Sequence, residues 1–103
     1  MRFPYWLFPT LRLAHDLRLH NYKIEDDRIG RLRGKNIWRN TVEVKISERE
    51  FARYTKDGRF KRGKFVYYFN ESPDEKLLKI ARKYTDLIET YSYEEYEKFQ
   101  GRV

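Results

Sequence analysis

Apolar residues recur along this chain with two different periods, and the change of period marks its elements. From Leu77, the positions Ile80, Ala81, Tyr84, Leu87, Ile88 and Tyr91 follow a three-to-four spacing that lays one apolar face along a helix. Ser72-Pro73-Asp74-Glu75 supplies its start, with a serine to cap orphan amides, proline at the first helical position and acids in the first turn, so a core helix is predicted over 73–90. A shorter helix follows from Ser92 with Glu95, carrying Tyr93, Tyr96 and Phe99 as a stripe and ending at Gly101. Period two takes over upstream. Val42, Val44 and Ile46 alternate with Thr41, Glu43 and Lys45, whereas 64–69 reads as a strand apolar on both faces and therefore deep in a sheet.

Between those strands, Ser47 with Glu50 forms a third capping box and predicts a short helix over 48–54, with Lys56-Asp57-Gly58 as its exit turn. The competing reading is a basic hairpin from Phe51 to Lys61 closed by Asp57-Gly58. Residues 22–25 and 28–33 read as a hairpin with Asp26-Asp27 at its turn, and Gly34-Lys35-Asn36 turns the chain towards the strand ending at Ile46. Over Thr10 to Leu19, Leu11, Ala14 and Leu17 suit a helix and Leu11/Leu13 with Leu17/Leu19 suit two strands; length and the lack of a turn favour helix. The predicted order is α-β-β-β-α-β-α-α, an α+β fold whose small mixed sheet of about four strands carries packed helices. No repeat or linker divides residues 1–103, so a single domain is expected.

Composition narrows the chemistry. Charged residues make up 38%, but 17% aromatic and 40% hydrophobic residues are enough to bury, which predicts an ordered chain. Zero cysteines exclude disulfides, thiolate metal sites and a cysteine nucleophile, and fit an intracellular, soluble protein. The Phe3 to Phe8 run is too short, and too interrupted by proline, for a signal or a membrane span. The three serines, Ser47, Ser72 and Ser92, all sit in capping contexts, which leaves serine hydrolase chemistry without support. His15 and His20, five apart, lie about 140° around a helix and do not share a metal. The glycines form no phosphate loop, and the abundance of Lys, Arg, Glu and Tyr with a single Met resembles thermophile usage.

Charge is concentrated. Residues 28–69 hold thirteen Lys and Arg against four acids, a net +9 that exceeds the +7 of the whole chain. Such a local field attracts polyanions, which makes nucleic acid, DNA or RNA, the expected partner. Candidate contacts fall in two clusters: Arg28, Arg31, Arg33, Lys35 and Arg39 around Trp38, then Arg53, Lys56, Arg59, Lys61, Arg62 and Lys64. Trp38 or Phe60 can stack on a base, and Trp38 equally suits a core.

Within that block, Glu43 and Lys45 lie on one strand face about 7 Å apart, within reach of one phosphate. A carboxylate ligand to Mg²⁺, with a second from Asp27 or Asp26, leaves positions for water and a scissile phosphate, and Lys45 can orient the water or offset developing charge. The same two residues also suit a plain surface ion pair with a neighbouring strand. Asp27, followed sixteen residues later by Glu43-Val44-Lys45, resembles the PD-(D/E)xK nuclease superfamily at motif level. Members share an αβββαβ core, to which the order read over Thr10 to Phe69 is similar, and cleave nucleic acid with Mg²⁺. The resemblance implies Asp27 and Glu43 as metal ligands and Lys45 as the catalytic lysine. An alternative from another class is a non-catalytic interaction module, in which Phe3, Tyr5, Trp6 and Phe8 with Tyr93, Tyr96 and Phe99 form an aromatic patch for a partner or for a second copy in a homodimer.

Overall fold

The computed structural model describes residues 9–31, 38–57 and 63–101, with side chains over 10–25, 39–56 and 63–101. The aromatic Phe3–Phe8 run and the turn expected at Gly34-Lys35-Asn36 lie outside the described residues. Helix α1 spans Pro9–Leu19, with proline in the first turn where its missing N–H is harmless. It ends because Asn21 adopts φ 66°, while the Tyr22 amide returns to the Leu17 carbonyl at 3.0 Å. Four antiparallel strands follow in a meander, β1 Lys23–Arg31, β2 Trp38–Ser47, β3 Glu50–Asp57 and β4 Lys64–Phe69. Helix α2, Glu75–Ala81, then carries the chain to β5, Leu87–Ser92, which pairs in parallel with β4, and α3, Tyr93–Phe99, closes the order. The result is α+β: a mixed five-stranded sheet in the order β1-β2-β3-β4-β5 with three helices among the described residues.

One face of the sheet makes the core. Leu13, Ala14 and Leu17 of α1, with Leu77, Leu78, Ile80 and Ala81 of α2, cover Val42, Val44, Ala52, Tyr54, Phe65 and Tyr67. At its rim the Tyr67 hydroxyl donates to Glu50 and accepts from the Asp74 amide at 2.8 Å, while Tyr22 donates to Asp74 at 2.6 Å. Burial and these carboxylate partners push the Tyr22 and Tyr67 phenols well above their usual range. The chain of contacts ties the start of β1, β3 and β4 to the N-terminus of α2. Behind it, Asp16 of α1 accepts from Tyr84 at 3.0 Å and pairs with Lys83 and His20.

Four sequence expectations are corrected, three of them because strand pairing overrides a local signal. The helix expected over 48–54 is strand β3: Glu48 and Arg49 turn a hairpin, with Ser47 opposite Glu50. Phe51 pairs with Tyr68 of β4, so the strand partner lies beyond the Phe51 to Lys61 span of the rival hairpin, whose residues 58–61 lie outside the described residues. The Glu50 carboxylate answers Tyr67 rather than a serine amide, and pairing on both sides buries Ala52 and Tyr54. The hairpin expected over 22–25 and 28–33 is replaced, as far as the described residues reach, by the single strand β1, Lys23–Arg31. Asp26-Asp27 runs through the middle of β1, with a register shift between Ile24 and Asp26 absorbing the extra residue.

The long helix over 73–90 stops at Ala81. The Thr85 hydroxyl donates to the Gly63 carbonyl at 2.5 Å and accepts from the Leu87 amide at 3.0 Å, fixing the turn that sends Ile88 and Thr90 into β5. These β-branched residues suit a strand better than a helix interior. Finally, α2 is capped by Asp74, which accepts from the Lys76 and Leu77 amides, and not by Ser72. Ser92 does cap α3, accepting from Glu95 at 3.3 Å.

Candidate nucleic-acid interface

Alternation along the strands sends every second side chain to the face opposite α1 and α2. On that face the register aligns three rows: Thr41, Thr55, Lys64 and Leu87; Glu43, Arg53, Val66 and Glu89; Lys45, Phe51, Tyr68 and Tyr91. Among the described residues, it is the last row that carries a helix, over its rings. Helix α3 lies on it through rings, with Tyr96 at 5.0 Å from Phe51 and 4.9 Å from Tyr68, and Phe99 at 5.3 Å from Tyr91. Tyr93 and Tyr96 are half-buried by this ring packing, whereas Phe99 remains 60% exposed. The uncovered part forms a groove of about 740 Å³, whose lining includes Glu43, Lys45, Arg53, Lys64, Tyr68 and Tyr96.

The expected pair, Glu43 and Lys45, does share one face of β2 and one groove. Glu43 is ion-paired with Arg53 across the strands, and Lys64 with Glu89, which Tyr91 also engages. The lysine and the Tyr91 hydroxyl hold the Glu89 carboxyl below its usual range. Asp27 is not opposite Glu43. It pairs in register with Val42, whose side chain is buried in the core, and the register shift gives Asp26 the place opposite Glu43. Among the described residues no group of three Asp, Glu, His or Cys side chains is arranged to hold a metal ion. The strand of Glu43-Val44-Lys45 is followed by β3 and not by a helix; the crossover helix follows β4, and Asp16 of α1 is engaged with Lys83 and Tyr84, just after α2, on the far side of the sheet.

The expected cation clusters separate by strand polarity. In this meander the pairs Arg31 with Trp38, Arg39 with Asp57, Thr55 with Lys64 and Lys64 with Leu87 all fall at one end of the sheet. Arg28 is in register with Thr41 on the way to that end, and Lys56, half-buried on the helix-covered side, with Asn40. Arg39, Arg53 and Lys64 are exposed. Arg33, Lys35, Arg59, Lys61 and Arg62, with Phe60, lie outside the described residues, in two segments that both join the sheet at this same end. The opposite end carries Glu48, Glu50, Glu71, Asp74 and Glu75, and α3 with Glu94, Glu95 and Glu97 starts there. Sequence reasoning missed Tyr68 and Val66 as groove residues, although the period-two pattern of 64–69 signalled both, and it missed Glu89 as the partner of Lys64, hidden in a segment read as helix.

Compared with protein-family models, curated proteins and solved structures, the chain has no significant match.

Proposed function

We propose that this protein binds nucleic acid through the basic end of its sheet and the open face beside it. The observation that carries this reading is the strand polarity, which joins both basic segments of the +9 block to one end of the sheet and leaves the acids of α2 and α3 around the other. A phosphate chain gains from such a field by releasing its counterions, and Arg side chains add bidentate phosphate contacts. Fluorescence anisotropy of labelled oligonucleotides against salt tests it. Affinity should fall linearly on a log–log plot, and Arg31→Ala or Arg62→Ala should each weaken binding across sequences while lowering the slope by about one. Absence of binding to single- and double-stranded probes at low salt defeats the proposal.

A second reading, Mg²⁺-dependent cleavage of phosphodiester bonds, keeps one supporting observation: Glu25, Glu43 and Lys45 line the same groove, with Asp26 in register with Glu43. In that reading a cation recruited by substrate would draw Glu43 away from Arg53, and Lys45 would offset charge at the phosphate. Cleavage by wild type with Mg²⁺ or Mn²⁺, lost in Glu43→Gln and Lys45→Ala, is the expected result. Cleavage that is unchanged in both variants removes these residues from the mechanism.

A further inference from the structure

The groove beside α3 does not suit the phosphate chain itself. Its charged lining is balanced among the described residues, with Lys45, Arg53 and Lys64 against Glu25, Glu43 and Glu48. Two of those cations are already engaged, Arg53 by Glu43 and Lys64 by Glu89. A polyanion entering here meets as much repulsion as attraction. The uncharged lining is of another kind: Thr55, Val66, Phe51 and Tyr68 are half-buried sheet residues, and Tyr96 of α3 closes one side.

Three of these rings support one another, with Phe51 at 5.1 Å from Tyr68 and Tyr96 within 5.0 Å of both. Held by mutual packing, they can receive a flat ring without a large ordering cost. The 740 Å³ volume lies in the range of small-ligand pockets, roughly 300–1,000 Å³. It accommodates an unpaired base, whereas a duplex keeps its rings stacked inside and offers none to the groove.

Building on the nucleic-acid reading above, we infer that the groove is a base-binding subsite and that the nucleic acid this protein takes is single-stranded, its phosphates along the basic end and an unpaired base against Val66, Tyr68 and Tyr96. Gln100 and the Thr55 hydroxyl line the same space and can answer the polar edge of a base. The test is anisotropy with the full chain and four probes of equal charge: oligothymidylate, oligouridylate, a hairpin duplex and an abasic strand.

One or both unpaired oligomers should bind about tenfold more tightly than the duplex and the abasic strand, since stacking is worth that much per base. Val66→Trp, which fills the groove, and Tyr96→Ala, which removes its wall, should abolish that preference without weakening the abasic strand. Equal affinity for all four probes overturns the subsite and leaves charge-driven binding standing. A preference that survives in folded Val66→Trp also overturns it. Failure of every probe to bind at low salt overturns the nucleic-acid reading instead. The wild-type comparison holds even where a variant does not fold.

Discussion

Gly63 is a position where the physical reason is entirely tertiary. It is buried, its carbonyl accepts from Thr85, and a β-carbon there would collide with the hydroxyl end of Tyr54, itself 1% exposed and held in the core. Gly63→Ala should therefore cost about 1–3 kcal/mol through overpacking, read as a lower urea midpoint with an unchanged slope. In the sequence this glycine is one of several scattered ones without a motif. By contrast, the shared face of Glu43 and Lys45 was legible, because strand alternation is a local geometric necessity. The partner of Glu43 was not, since Arg53 lies in a segment whose capping box argued for a helix.

At the level of elements, serine-based capping signals succeeded once and failed twice, and the difference lies in what surrounds them. Ser92 ends β5, in register with Phe69, and caps α3, whose residues Tyr93–Phe99 pair with no described strand. Ser47 sits where β2 turns into β3, and Ser72 yields to Asp74, whose carboxylate is held by Tyr22 as well as by the helix amides. Asp74→Ala should lower stability by about 1–2 kcal/mol in a denaturant titration, and Ser72→Ala by a few tenths at most. Equal effects of the two would return the cap to Ser72. The division of 73–90 into α2 and β5 follows the same logic: the helical period continues past Ala81, but pairing β5 alongside β4 and tying Thr85 to Gly63 satisfies backbone and hydroxyl together.

The whole molecule is held partly by phenols that fold protonated. Tyr22 and Tyr67 are raised by burial and by hydrogen bonds to Asp74 and Glu50, and Tyr84 is pushed up to about 12 by burial and by its bond to Asp16. An unfolded tyrosine ionises near 10, so above that pH the unfolded chain releases protons that the folded one still holds. Stability should be constant up to about pH 9.5 and then fall as pH rises towards the folded values. Urea midpoints across this range should show the fall, and Tyr84→Phe should make it shallower; an unchanged profile would remove Tyr84 as a contributor. By itself the sequence determined α1, the alternation of β2 and β4, the cap of α3 and the basic block. Each of these is carried by neighbours a few residues apart or by composition. Only the tertiary structure decided that 50–57 and 87–92 are strands, that Asp26 and not Asp27 stands opposite Glu43, and that both basic segments join the sheet at one end. Those outcomes depend on strand pairing between distant residues, whose hydrogen bonds and burial outweigh the local preferences that a sequence displays.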